Sequence, residues 1–287
     1  MSTTVTAAAV NDLRKRTDQP MMACKAALVK ADGDMEKAIQ ILREENSKVS
    51  VKRSMNETAE GRIAVCIDTA TKMAAILDMR CESAPTAKND QFIALANDIA
   101  KQIVQKDPKT TEELVAQPFV GGKGTVTDRI NEVIGLIREN MKPHRFARLT
   151  GGQFGEYVHH DGSVGALIQV QGKEASAEVL RDLCAHAVAL NPQYTRVEDV
   201  PAELVASEKA LQLKGIQADP KNEGKNASIL EKIVEGKMRT YFGESVFLEQ
   251  LVANQMKYEK KTVGQVLKAA GLEIVKLVRL KVGEVTL

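Results

Sequence analysis

Two short apolar segments joined by a polar turn constrain the fold of this chain more than any other feature. The segments are RIAVCID (62–68) and MAAILDMRC (73–81), and the turn between them covers Thr69 to Lys72. Short apolar runs bounded by turn residues are typical of strands. A second pair lies within 154–172, around a turn at Asp161-Gly162. Strands that come in neighbouring pairs predict antiparallel sheets and disfavour the alternating βαβ order of Rossmann and P-loop proteins.

Amphipathic helices follow the strand pairs, so the order of elements repeats in outline. Hydrophobic residues make up 44% of the chain and aromatic residues 3%, with no Trp, so we expect an aliphatic core. Repeated strand pairs followed by helices predict an α+β fold. The helices are predicted over 90–105, 126–141 and 176–190, and a last strand over 272–285.

The first part of the chain is predicted to form three short helices in a small bundle. Pro20 suits the start of the second helix, Gly33 its end, and Asp34 the N-cap of the third. The second helix opens with Met21 and Met22, which point about 100° apart and therefore do not share one narrow buried face. Either this helix is buried broadly, or one of the two methionines faces a partner protein.

Composition and charge argue against several classes of function. The 40 basic and 38 acidic residues nearly cancel, which predicts neither nucleic-acid binding nor membrane binding. No apolar run is long enough to span a bilayer. The four cysteines are scattered without a C-x-x-C pair. We therefore expect no metal site, no disulfide framework and a cytoplasmic location.

A glycine-rich stretch, VGGKGTV (120–126), raises the question of phosphate binding. It lacks the G-x-x-x-x-G-K-[ST] spacing and does not connect a strand to a helix in a βαβ unit. We interpret it as a surface turn, which argues against a nucleotide-binding enzyme.

Between Val200 and Tyr241 the sequence changes to two charged amphipathic helices. They are PAELVASEKALQLKGIQ and ASILEKIVEGKMRTYFGE, joined by the polar link ADPKNEG. Two helices with a short link predict an antiparallel hairpin.

Several long motifs, all in one order, resemble those of the elongation factor Ts family. LRKRTDQPMMACKAALVKADGDMEKAI is close to the family pattern L-R-x-x-T-G-A-x-M-M-x-C-K-x-A-L-x-x-x-x-G-D-x-x-x-A-I. EDVPAELVASEKAL, EKIVEGKMRTYFGE and KTVGQVL then follow in the family's order, so that the resemblance covers nearly the full chain.

The resemblance implies an α+β fold of several domains. It has an N-terminal UBA-like three-helix domain, a core of two small subdomains that each combine an antiparallel sheet with helices, and an inserted antiparallel helical hairpin of a dimerisation type. The implied bounds are 1–46 for the UBA-like domain, 47–61 for a linker, 62–149 for the core N-subdomain, 150–192 and 242–287 for the core C-subdomain, and 193–241 for the hairpin.

The resemblance also implies a function. Members of the family are guanine-nucleotide exchange factors, which bind elongation factor Tu·GDP, loosen the contacts around Mg²⁺ and the diphosphate, and release GDP. A partner that prefers nucleotide-free Tu must weaken nucleotide binding by the same coupling free energy. Because exchange makes and breaks no covalent bond, we expect no enzyme activity, no catalytic residue and no cofactor.

Two alternatives remain open at this point. The chain could instead be a Tu-binding chaperone or structural subunit with weak exchange activity. It could also form a homodimer, or a 2:2 complex with Tu, through the helical hairpin.

The resemblance assigns Tu contacts first to the N-terminal domain. It places Leu13, Arg16, Met21 and Met22 against the GTP-binding domain of Tu, although Met21 fits the bundle core equally well. A flexible thioether suits an apolar contact that forms and dissolves in each cycle. His159, in a Y-x-H motif, is implied as a contact in the second half of the chain.

The loop after the second strand departs from the family. The family signature is C-x-T-D-F-V-A, whose Asp and Phe push between helices near the Mg²⁺ site, whereas this chain has CESAPTAK. The implied contacts therefore fall on Ser83, Ala84, Pro85 and Thr86, without the acidic and aromatic pair. Either the loop acts by shape, with Pro85 as a rigid apolar tip, or it is an ordinary connection and exchange depends more on other contacts.

Another implied contact segment differs from the family pattern at one residue. Ile137, Arg138 and Asn140 belong to a run that matches the family's I-G-E-N, with Arg138 in place of Gly. We expect the larger side chain at Arg138 to alter a close approach between its backbone and Tu.

Many members continue past V-G-E into a C-terminal helix that docks on Tu. This sequence ends at VGEVTL, so we expect that contact to be absent.

Overall fold

The computed structural model describes residues 5–223 and 225–284 and divides into two units. The first comprises the chain up to Thr150, together with His160–Val164 and the residues from Leu280 onward. The second comprises Gly151–His159 and Gly165–Arg279. The predicted N-terminal domain, hairpin link and last strand each lie partly outside the described residues.

The first unit begins with three helices around a small apolar core. They are α1 (Ala7–Thr17), α2 (Met21–Lys30) and α3 (Met35–Arg53). The predicted cap of α3 is confirmed, because the Asp34 side chain accepts a hydrogen bond from the backbone N–H of Lys37 at 3.1 Å. Fully buried side chains in this core include Leu13, Cys24, Ala27, Leu28 and Ala38.

The third helix continues well into the segment 47–61, whose polar composition predicts a linker. Val49 packs on the core of the first unit, and the helix lies along α7 (Val126–Ile137). A Cβ atom built on Gly135 of α7 would lie 2.0 Å from Oδ1 of Asn46, so glycine permits this close approach. Packing against the rest of the unit therefore outweighs the local composition.

The first sheet explains how two distant segments meet. Strands β1 (Glu60–Asp68), β2 (Met73–Cys81) and β3 (Met141–Thr150) are antiparallel and adjacent in that order. The predicted hairpin is confirmed, with Asp68 opposite Met73. Cys81 at the end of β2 pairs with Met141 at the start of β3. The residues that follow β2 and those that precede β3 therefore emerge side by side.

Helices pack on this sheet around an aliphatic core, as predicted. They are α4 (Ala84–Ala87), α5 (Asp90–Lys106), α6 (Thr111–Ala116) and α7. The core includes Leu77, Met79, Phe92, Ile99 and Ile134. The pattern predicts α7 as far as 141, but the helix ends at Ile137 because Arg138 adopts the left-handed conformation, with φ +65°.

The second sheet consists of β4 (Gln153–Val158), β5 (Val164–Gly172) and β6 (Leu272–Lys281), adjacent in that order. β4 and β5 are antiparallel, as the turn at Asp161-Gly162 predicts. The second unit also contains the helices α8 (Ala177–Leu190), α9 (Ala202–Ala218), α10 (Ala227–Ser245), α11 (Gln255–Tyr258) and α12 (Val263–Ala269). Its core includes Ile168, Leu183, Phe247, Val263 and Ile274.

Helices α9 and α10 form the predicted pair, packed through Ile216, Val234 and Met238. The α+β fold class is therefore confirmed for the described residues: N-terminal helices, two three-stranded antiparallel sheets with helices, and a C-terminal helical pair. The bounds of the implied domains stay a prediction.

Candidate partner-binding surface

The loop after β2 forms a single helical turn with an exposed tip. Ser83 is the N-cap of α4. Ala84 and Pro85 are exposed, whereas Thr86 and Ala87 are buried. Of the predicted contact residues Ser83 to Thr86, therefore, Ala84 and Pro85 form the accessible tip, and Thr86 packs inward.

Glu139 holds this loop from the other segment. Its carboxylate accepts the backbone N–H of Ser83 at 3.1 Å and the Ser83 hydroxyl at 2.7 Å. Hydrogen bonds to an ionised acceptor are stronger than bonds between neutral groups. The predicted contact segments 83–86 and 137–140 are thus brought together.

Glu82 makes the reciprocal connection. Its carboxylate accepts the backbone N–H of Asn140 and, at 2.9 Å, the side-chain amide of Asn56. Arg53 at the end of α3 lies 3.6 Å from the same carboxylate. The buried Asn140 side chain in turn donates to the carbonyl oxygen of Asn56 at 2.9 Å. We call Glu82 and Glu139 together the glutamate clamp.

Sequence reasoning did not single out either glutamate of the clamp as functional. Both lie inside quoted motifs, Glu82 in CESAPTAK and Glu139 in the run that matches I-G-E-N. Adjacency to predicted contact residues was a signal, but the pairing of β2 with β3 was needed to show that the two glutamates face each other's segments.

Ile137 and Arg138, which belong to the second predicted contact segment, differ in how far their side chains are exposed. Ile137 is half-buried and packs on the core of the first unit, whereas Arg138 is exposed. Arg138 adopts the left-handed conformation, with φ +65°, which residues other than glycine adopt at a cost.

A buried ion network joins β2 and β3 in the first sheet. The carboxylate of Asp78 is fully buried and accepts two hydrogen bonds from Arg80, at 2.6 and 3.0 Å. Arg145 donates to the same carboxylate at 3.2 Å.

Burial and the nearby Arg80 charge lower the pKa of His144, so its imidazole is mostly neutral at pH 7. Burial, helped by the charge of Glu139, raises the pKa of the Cys81 thiol to about 12, which makes it unreactive.

The exposed side of α2 provides a second surface, the α2 face, which consists of Met21, Met22, Lys25, Ala26 and Val29. Met21 is 49% exposed, Met22 73% and Val29 57%. Both methionines therefore lie outside the bundle core. Arg16 on α1 is exposed and forms an ion pair with Asp12 at 2.9 Å.

Leu13 differs from its predicted neighbours. It is fully buried among the N-terminal helices. Its side chain packs inside the bundle and is not exposed on the α2 face.

His159 belongs to the second unit and follows the end of β4 directly. It is half-exposed, and Tyr157 two positions earlier packs on the core of that unit.

The glycine-rich stretch 120–126 contains an exposed turn. The backbone N–H of Phe119 donates to the carbonyl oxygen of Gly124 at 2.9 Å. The Thr125 side chain caps α7 by accepting the backbone N–H of Asp128 at 3.2 Å, and the carboxylate of Asp128 accepts the backbone N–H of Thr125 at 2.7 Å, so the two residues form a capping box. This arrangement does not offer the helix N-terminus to a phosphate.

Within residues 5–223 and 225–284, no three His, Cys, Asp or Glu side chains are grouped so that they could hold a metal ion. Among the helices of the same ranges, none has the length and apolar character that crossing a bilayer requires.

Comparison with known proteins gives consistent matches over almost the whole chain. The family model described as Elongation factor TS matches residues 86–284. The elongation factor Ts of Trichlorobacter lovleyi is 35% identical, covering 94% of this chain and 88% of that protein. That of Polynucleobacter asymbioticus is 37% identical over 98% and 90%, respectively. That of Clavibacter michiganensis is also 37% identical, over 97% and 98%. The chain belongs to the elongation factor Ts family.

Proposed function

We propose that this chain binds elongation factor Tu·GDP and promotes the release of GDP during translation elongation. Membership of the elongation factor Ts family carries this conclusion, and it implies a nucleotide exchange factor rather than an enzyme. The cytoplasm, where translation takes place, is the compartment that this function implies.

Exchange requires only that the chain bind nucleotide-free Tu more tightly than Tu·GDP. The affinity of Tu for GDP then falls by the same factor, by thermodynamic linkage. Surfaces that touch Tu are therefore sufficient, and no acid, base or nucleophile is needed.

The tip of the first unit is proposed to act near the nucleotide site of Tu. Ala84 and Pro85 form an exposed, conformationally restricted apolar tip, supported from behind by the segment Ile137–Asn140. Proline fixes its own φ angle and so lowers the entropy lost on contact. Shape rather than charge is the feature that this tip offers to Tu.

The exposed face of α2 is proposed to anchor the complex. Met21 and Met22 offer adaptable apolar area, and the exposed Arg16 of α1 is proposed as a charged contact of the same domain. Leu13 is proposed to contribute by holding α1 against α2 and not by direct contact. His159, at the end of β4, is proposed as a separate polar contact from the second unit.

We propose separately that two copies of the chain associate through α9 and α10. Leu204 and Leu211 lie two turns apart on α9 and are 45% and 62% exposed, which suits helix pairing at a seven-residue spacing. Light scattering on the purified chain, alone and mixed with Tu, distinguishes one copy from two.

Stopped-flow release of a fluorescent GDP analogue from Tu tests the function. Acceleration by substoichiometric amounts of the chain is the expected result. Binding to Tu without acceleration would instead favour the chaperone or structural-subunit alternative, which is motivated by Ala84 and Pro85 standing in place of the family's Asp and Phe. Absence of both binding and acceleration would contradict the proposal.

A further inference from the structure

Resting on the proposed function, we infer that Glu139 is a positioning residue for exchange. It holds the Ala84-Pro85 tip in the one conformation in which that tip acts on Tu, and Glu82 fixes the base of the same loop.

The first argument concerns the weakness of α4 by itself. A helix of four residues (Ala84–Ala87) has too few internal hydrogen bonds to persist alone. Ser83 is its N-cap, yet its side chain makes no capping bond to the helix. The hydroxyl and the backbone N–H of Ser83 both donate to Glu139 instead. The cap that fixes the tip is therefore supplied by a different segment.

The second argument is that the connection runs in both directions. Glu82 of the loop accepts the backbone N–H of Asn140, and Glu139 beside Asn140 accepts the backbone N–H of Ser83. Two carboxylates thus each bind the backbone of the opposite segment. Thr86 and Ala87 are buried at the far end of α4, whereas Ala84 and Pro85 at its near end are exposed. Removing Glu139 therefore takes away the two bonds at Ser83, next to the exposed tip, while the buried end of the loop stays packed.

The third argument concerns what the tip can do. Alanine and proline side chains offer Tu a small apolar surface without charge or aromatic area. Such a small contact contributes to a reaction only when it is held in place beforehand, because a mobile loop loses the gain to ordering entropy. The clamp therefore belongs to the working part of the surface, although neither glutamate needs to touch Tu.

The test measures GDP release from Tu at increasing concentrations of three variants in the full chain. Glu139→Ala removes both bonds to Ser83, and we expect the maximal rate to fall about tenfold while the half-saturating concentration stays within about twofold. Glu139→Gln retains an acceptor for the N–H and offers a donor to the hydroxyl, so we expect it to retain most of the maximal rate. Ser83→Ala loses one of the two bonds, and an intermediate rate is expected.

A matched control separates positioning from general stability. Glu113 also binds a backbone N–H, that of Lys109 at 2.7 Å, in another connection of the same unit. Glu113→Ala is expected to leave the maximal rate unchanged. Thermal unfolding of each variant shows whether Glu139→Ala remains folded. If it does not, Ser83→Ala carries the test, and the same maximal rate as wild type would overturn the inference.

The inference and the proposed function fail in different ways. If the unmodified chain does not accelerate GDP release, the proposed function fails first. If the unmodified chain accelerates release and Glu139→Ala matches it in maximal rate while folded, only the positioning role is overturned. A rise in the half-saturating concentration with an unchanged maximal rate would also overturn it, because that pattern indicates lost affinity.

Discussion

The tip at Ala84-Pro85 and the exposed face of α2 are proposed to meet the same partner, yet they are held in opposite ways. The tip is small, and charged hydrogen bonds from a neighbouring segment fix its backbone. The α2 face carries two long, flexible methionine side chains, which are exposed on a helix that has no side-chain cap. The comparison indicates that one surface depends on rigidity and the other on adaptable area.

The largest expected effect concerns the buried ion network in the first sheet, whose strands β2 and β3 lead to the two segments of the tip. Asp78→Ala leaves Arg80 and Arg145 without their shared buried carboxylate. We expect a loss of about 3–5 kcal/mol in the free energy of unfolding, since an uncompensated charge stays buried. Urea denaturation measures this loss. The exposed pair of Asp12 with Arg16 is the control, for which Asp12→Ala costs at most about 1 kcal/mol. Similar losses of unfolding free energy in Asp78→Ala and Asp12→Ala would contradict the expected difference between the buried and the exposed ion pair.

The next effect tests the adaptable surface. Met22→Ala removes apolar area that is exposed in the free chain and proposed to be buried against Tu. We expect the half-saturating concentration in GDP release to rise about tenfold, from a lost transfer free energy of about 1–2 kcal/mol, with an unchanged maximal rate. Met256→Ala, at a methionine that is 97% exposed in the second unit, is the matched control. Equal behaviour of the two variants would remove the α2 face from the proposal.

A third variant tests the tip itself. Pro85→Ala shortens the apolar tip and frees its backbone, and we expect the maximal rate of GDP release to fall about fivefold with little change in half-saturation, from a loss of roughly 1 kcal/mol. Pro220→Ala changes another exposed proline, in the link between α9 and α10, and is expected to have no effect on release. A shift in half-saturation in place of the maximal rate would mean that the tip and the α2 face do not differ as described.

The smallest expected effect is a gain in the free energy of unfolding, not a loss. Arg138 has φ +65°, so Arg138→Gly relieves backbone strain, and we expect a gain of about 1 kcal/mol in the free energy of unfolding. Lys101→Gly, at an exposed position within α5, should instead cost about 0.5–1 kcal/mol. Urea midpoints of the two variants on opposite sides of wild type confirm the prediction, and a loss for Arg138→Gly contradicts it.

Sequence patterns predicted the elements whose signals are local. The two hairpins, the helices α5, α7 and α8 and the α9–α10 pair all follow from periodicity and turn residues. The extension of α3 to Arg53 was missed because it depends on Val49 and Asn46 packing against distant parts of the unit. Local composition carries no information about such partners.

The candidate site was predictable in its parts but not in its assembly. Motif resemblance pointed to Ser83–Thr86 and to Ile137–Asn140 separately. Their meeting depends on the pairing of Cys81 with Met141, a contact between residues far apart in the sequence. The exposure of Met21 and the burial of Leu13 were likewise undecided by spacing, because the same helical stripe fits a core or a surface.

The close approach of α3 to α7 has a consequence for how members of the family diverge. A single methyl group at position 135 would overlap the amide of Asn46, since the added carbon would lie 2.0 Å from its oxygen. Substitutions at these two positions should therefore be correlated: a larger residue at 135 should occur together with a shorter one at 46. Aligned descendants of a common ancestor would record this steric rule as a covarying pair.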